Sequence, residues 1–179
     1  MPARRILQLG DPLLRAVSTP VVDLWECRLI LRDLRATLHQ FRRTHGFGRG
    51  ISAVQIGEPK RIIYLEFEGR PYCLINPSCE QQSPAKIRLW DDCFSFPNLL
   101  VCLERAASLT ITYQDQAGQA RRLLEATGAL SELIQHEMDH LDGILAIDRA
   151  IDRYSFCTRP EFERRFRTAP PASPAPVVE

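Results

Sequence analysis

Between Asp23 and His45 the apolar residues Leu24, Cys27, Ile30, Leu31, Leu34, Leu38 and Phe41 recur at steps of three and four. That is the period of one buried helical face. Asp23 with Glu26 three residues on is a capping pattern at the start, and Gly46 is a natural stop. A glycine-punctuated loop follows, His45-Gly46-Phe47-Gly48-Arg49-Gly50. Residues 61–67 and 71–75 then read as strands joined by a turn at Glu68-Gly69. Further strand-like runs cover 87–90, 99–105, 108–113 and 121–125, with a turn across 114–118. A second amphipathic helix is predicted over 128–141, ending at Gly143, and a short one over 160–167.

Helix, several strands, then helix is an α+β order, not the strict alternation of a doubly wound sheet. The 179 residues suffice for one domain with a full core. One catalytic-sized domain is expected over 1–167. The stretch 168–179 carries four of the 13 prolines and is expected to be a disordered tail.

Composition narrows the reading. Hydrophobic residues at 45% and charged residues at 25% are ordinary for a globular chain. A net charge of +1 gives no electrostatic ground for nucleic acid or an anionic membrane as partner. No secretory signal and no apolar run long enough to span a bilayer are visible, so a cytoplasmic protein is expected. Six cysteines in such a chain then read as reduced thiols, several of them small core residues such as Cys73.

The chemistry lies on the second helix. His136-Glu137-Met138-Asp139-His140 is an HExxH motif. Residues four apart share a helix face, so both imidazoles can reach one ion, with a carboxylate beside it to act as a base. Glu137 falls on the apolar stripe of Leu130, Ile134 and Leu141, where burial would raise its pKa toward that of a useful base. A third ligand is still required. The extended pattern HExxHxxGxxH fits through Gly143 and fails at Ala146. Glu161 and Glu163 lie at a suitable distance for a zinc endopeptidase but sit in a charged, solvated-looking segment, and the Cys93 thiol is the better candidate.

Three segments together resemble the peptide deformylase family, whose motifs are GxGxAAxQ, EGCLS and HExDHLxG. Here they read Gly48-Arg49-Gly50-Ile51-Ser52-Ala53-Val54-Gln55, then Asp91-Asp92-Cys93-Phe94-Ser95, then His136-Glu137-Met138-Asp139-His140-Leu141-Asp142-Gly143. The opening 6–15, Ile75-Asn76-Pro77 and the placement of Arg105 are also similar.

The resemblance implies antiparallel sheets around a central metal-binding helix, with a long N-terminal helix. It implies one divalent metal on Cys93, His136 and His140, typically Fe(II), with Zn(II), Ni(II) or Co(II) able to occupy the site. Glu137 would be the general base and then acid, and the Gln55 side chain and Phe94 backbone N–H would stabilise the oxyanion. The implied reaction removes the formyl group from N-formyl-methionyl chains near the ribosome.

The chain departs from the family motifs at Asp91, Asp92, Phe94, Ser52 and Arg49. Gly48, Arg49, Gly50, Asp91, Asp92 and Arg105 are the expected substrate-binding positions. Arg49 and Asp92 would either pair across the channel or recognise a charged part of the substrate. The alternatives are an amidase for another N-formyl compound and a catalytically silent metal-binding module.

Overall fold

The computed structural model describes residues 3–166. The expected tail over 168–179 lies outside them. A 3-10 turn over Pro12–Arg15 leads into helix α1, Leu24–His45. Asp23 caps α1 by accepting from Trp25 N–H, and Gly46 ends it at φ 79°, a left-handed cap that glycine adopts without strain. Strand β1 (Gly50–Ser52) runs into a 3-10 turn over Ala53–Ile56, followed by β2 (Ile62–Phe67) and β3 (Arg70–Gln82). Then come β4 (Lys86–Asp92), β5 (Leu99–Ala106), β6 (Ser108–Gln114) and β7 (Ala120–Thr127). Helix α2 is Gly128–Leu141, and a 3-10 turn over Ala146–Arg149, strand β8 (Phe156–Thr158) and helix α3 (Arg159–Phe166) close the described chain.

Two antiparallel sheets result, ordered β1-β2-β3-β6-β7 and β4-β5-β8. Strand β2 shows how the larger one is held. Its Ile62 and Tyr64 pack with the α1 stripe of Cys27, Ile30, Leu31, Leu34, Leu38 and Phe41. Its Ile63 and Leu65 pack with Leu133, Ile134 and Leu141 of α2. Both faces of this strand are therefore covered by helices, which is why it reads as a continuous apolar run. Leu34 and Leu38 are completely buried, each contributing about 1.5–3 kcal/mol from removal of apolar surface from water. The smaller sheet has a core of its own, built from Leu14, Cys93, Phe96, Val101, Leu103, Leu145 and Ala146.

Three features differ from the sequence expectation. β3 runs on past Ile75 to Gln82. Asn76 and Pro77 read as a break, but a register shift between Ile75 and Ser78 absorbs the proline's missing N–H. Asn76 takes φ 50°, and its side chain holds both the N–H (2.8 Å) and the carbonyl (3.0 Å) of Val21. β1 and β8 were not anticipated, since three residues are too few to show a period. All six cysteines are free, but Cys73 is only half-buried, so it is not the fully buried core residue its apolar neighbours suggested. No helix among the described residues is long and apolar enough to cross a membrane.

Candidate metal centre

Cys93 stands just after β4, in the tight turn where Phe96 N–H bonds back to the Cys93 carbonyl (3.1 Å). His136 and His140 project from one face of α2 toward it. The three ligand atoms lie within 4.8 Å of one another, and all three residues are buried. Cys93 Sγ is 3.2 Å from His140 Nε2. His136 directs its Nδ1 to Asp91 Oδ2 at 3.0 Å, leaving Nε2 for the centre. A thiolate and two imidazoles converging inside the protein fit a borderline divalent ion of the iron–zinc kind. Among the described residues these are the group with metal-ligand geometry.

The electrostatics suit neutral or anionic ligands. Burial holds the His140 imidazole well below its ordinary pKa, with His136 adding to the effect, so it stays a neutral donor. Burial also opposes charge on His136, but Asp91 and Cys93 outweigh it and raise its pKa. Asp91 is held well below the carboxylate range: its burial is overcome by His136 and by Arg105. Arg105 donates to Asp91 Oδ2 from Nε (3.2 Å) and Nη2 (2.8 Å), and from Nη1 to Asp139 Oδ2 (2.9 Å). Arg149 takes the other side of Asp139. This buried chain of charges orients His136 from behind.

Glu137 is buried beside the ligands, and burial pushes its carboxyl pKa up. Ser52 Oγ lies 2.5 Å from Glu137 Oε2 and 2.9 Å from the Glu137 carbonyl, and donates to one of them at a time. Gly50 makes this approach possible, because a Cβ there would lie 2.8 Å from Glu137 Oε1. Gln55 is fixed at both ends of its amide. Oε1 accepts from Ser52 N–H (2.9 Å), and Nε2 faces Cys93 Sγ (3.6 Å) and Ser95 Oγ (3.3 Å). Among the described residues no protein group accepts the Phe94 N–H. The Phe94 ring stacks on Phe41 at 3.8 Å between centroids and lies so close over Gly48 that a Cβ would meet it at 2.5 Å.

A cleft of about 400 Å³ opens onto these groups, lined by Phe47, Gly48, Arg49, Gly50, Gln55, Asp91, Asp92, Phe94, Glu132, Leu133, His136 and Glu137 among others.

A sequence model of the polypeptide deformylase family matches residues 3–155. The chain belongs to the deformylase family. It is 35% identical over 154 residues to the peptide deformylase of Rhizobium meliloti, covering 83% of this chain and 85% of that one. It is 34% identical over 150 residues to that of Dictyoglomus thermophilum, covering 83% and 94%. Among solved structures, a peptide deformylase from Synechococcus elongatus in complex with actinonin superposes with a TM-score of 0.80 at 31% identity, covering 92% of this chain and 86% of that one. The Thermotoga maritima enzyme gives 0.79 at 29% identity, covering 85% and 100%. These relatives are hydrolases, and the mixed helix and antiparallel-sheet fold matches theirs.

Within this deformylase frame the expected site residues separate into groups. Gln55, Phe94, His136 and Glu137 line the cleft, and Cys93 and His140 lie buried beside His136. Gly48 and Gly50 form the cleft wall, and Arg49 and Asp92 line it. Asp91 reaches the cleft, but its Oδ2 is taken by His136 and Arg105. Arg105 does not line the cleft at all: it is buried behind Asp91, where its charge is fully paired. Its ion pairs place it behind Asp91 and Asp139, away from the cleft lining. Arg49 and Asp92 do not pair with each other. Arg49 reaches Glu132 on α2 (2.8 Å), and Asp92 reaches Arg159 on α3 (2.6 Å). Arg159 also lies over the Phe47 ring at 3.9 Å, tying α3 to the cleft rim. Glu161 is paired with Arg164 on the surface of α3, away from the ligands. Sequence reasoning missed Glu132 and Arg159. Glu132 precedes His136 by one helical turn, and that spacing was the available signal.

Proposed function

We propose that this deformylase-family hydrolase removes the N-formyl group from the amino end of newly made polypeptides, with one divalent ion on Cys93, His136 and His140, Fe(II) in the first place. Zn(II), Ni(II) or Co(II) suit the same donors. The working place is the cytoplasm, beside protein synthesis. The observation that carries the reading is Glu137: a buried carboxylate aimed into the cleft beside three converging ligands. A binding module has no use for such a base.

The ion, when bound, supplies Lewis acidity and lowers the pKa of water from about 15.7 toward about 7. Glu137 takes the proton of the attacking water and returns it to the leaving nitrogen, so that formamide and water become formate and a free amine. Its raised pKa matches both halves of that exchange. Gln55 Nε2 and Phe94 N–H face the position where the formyl oxygen gains charge, and fixed donors there provide the largest single kind of transition-state stabilisation. Gln55 cannot rotate out of this role without losing the Ser52 N–H.

The test is formate release from formyl peptides by anaerobically purified protein with its metal content measured. Glu137→Ala should lose at least a thousandfold in kcat and keep about one ion per chain. Unchanged formate release would overturn the assignment of the base.

A further inference from the structure

We propose that Arg159 is a positioning residue for the reaction: from α3 it clamps the turn between Asp92 and Pro97 and thereby fixes the aim of the Phe94 N–H. This rests on the reading above, in which that N–H meets the oxygen that gains charge.

The Phe94 N–H is one edge of the planar peptide unit whose opposite edge is the Cys93 carbonyl. Phe96 N–H holds that carbonyl at 3.1 Å, and Gln8 Nε2 reaches the Phe94 carbonyl at 3.3 Å. The direction of the donor is therefore set by how the turn is closed. At the far end of the turn stands Pro97, which has no N–H to contribute. Arg159 supplies the closure. Its Nη2 donates to Asp92 Oδ2 at 2.6 Å and its Nε to the Pro97 carbonyl at 2.7 Å, so one rigid plane spans both ends of the turn. The same guanidinium lies 3.9 Å over the Phe47 ring, which meets the Phe94 ring edge-on at 6.4 Å between centroids.

Arg159 lines neither the cleft nor the ligand group, so its influence passes through Asp92, Pro97 and Phe47. Helix α3 buries none of its own residues and leans on the smaller sheet through Phe162 and Phe166, 5.8 and 6.3 Å from the Trp90 ring. The clamp is thus the contact by which this outlying helix reaches the chemistry. It also belongs to this chain and not to the family pattern, because the family motif has glycine where Asp92 stands. A donor misplaced by about 1 Å can cost on the order of a hundredfold in rate. A loosened turn is therefore felt in kcat, where developing charge is stabilised, and much less in ground-state binding.

The experiment compares metal-loaded wild type, Arg159→Met and Arg159→Lys on a formyl-Met tripeptide, with metal content measured. The deformylated tripeptide is tested beside it as a competitive inhibitor. That product has no formyl oxygen, so its Ki reports the cleft walls and not the donor. Arg159→Met should lower kcat by about tenfold or more, with KM and product Ki within about twofold of wild type and metal content unchanged. Arg159→Lys should fall between the two, since an ammonium can hold Asp92 or the Pro97 carbonyl but cannot bridge them as a plane does. An unchanged kcat in the Met variant overturns the inference, as does a loss matched in product Ki or in metal content. Absence of formate from the wild-type protein overturns instead the formyl-peptide reading on which it rests.

Discussion

Replacing Asp91 with Asn removes the charge that joins His136 to Arg105 while keeping the shape of the side chain. In the intact protein Asp91 Oδ2 accepts three bonds: His136 Nδ1 at 3.0 Å, Arg105 Nε at 3.2 Å and Arg105 Nη2 at 2.8 Å. Both Asp91 and Arg105 are only 3% exposed, so the guanidinium cannot turn to solvent for a new partner. Breaking a buried pair from one side costs about 3–5 kcal/mol. Asp139 keeps its 2.9 Å contact with Arg105, which argues for the lower end, about 3 kcal/mol. In urea, with a slope of roughly 1.5–3 kcal/mol/M, the midpoint should fall by about 1–2 M. Loss of the group that orients a ligating histidine should also weaken metal binding by about 10–100-fold. Unfolding of metal-stripped protein followed by circular dichroism measures the first effect, and competition with a chelator measures the second. Asp91→Glu restores the residue of the family motif and should retain the metal. An Asn variant with an unchanged midpoint and unchanged metal affinity would refute the argument that this charge supports the centre.

Gly50→Ala places a methyl group 2.8 Å from Glu137 Oε1 and 3.1 Å from Leu133 Cδ1; kcat should drop by tenfold or more with metal content intact, as formate release and metal analysis would show. Ser52→Ala removes a hydrogen bond that favours the ionised form of Glu137, so the carboxyl pKa rises further. The acidic limb of the kcat/KM–pH profile should then move to higher pH, and a shift the other way would contradict the geometry. For Glu66, burial works to raise its pKa, but bonds from Tyr64, His39 and Arg42 bring it down to about 2 from an ordinary 4.5. A depressed carboxylate stabilises the fold above its unfolded pKa and loses that contribution as pH falls toward the folded value. Glu66→Gln should therefore be less stable than wild type by about 1–2 kcal/mol at pH 7, after solvent screening, with the gap narrowing below pH 4.5 and closing only as pH falls through about 2 in urea titrations.

The long elements were legible because each has a clear period and a stop. Helix α1 and helix α2 both follow from apolar spacing and end near the residues that the sequence marks, Gly46 and Leu141. The grouping of Cys93 with His136 and His140 was legible because HExxH is local in the chain and the second motif supplied a thiol. What the sequence concealed depends on contacts between distant segments. Arg105 was expected at the substrate, yet β5 turns it inward between Asp91 and Asp139. Arg49 and Asp92 are both charged and both line the cleft, so pairing them was reasonable from the motifs alone. Their actual partners, Glu132 and Arg159, stand 83 and 67 residues away, and no local pattern reports such separations. Ser52 read as a small departure from an alanine, although it is the side chain that touches the base.

The ligand set also has a mechanical meaning. Cys93 ends a strand of the smaller sheet, whereas His136 and His140 ride on the helix that covers the larger one. Arg105 already reaches from β5 across this seam to Asp139. An ion held by Cys93 and His140 would be a second rivet through it, closing a loop between residues 47 apart. Opening the seam and releasing the ion would then be a single linked equilibrium. Free metal in the surroundings would set how firmly the two sheets stay clasped, and so the lifetime of the protein as well as its activity.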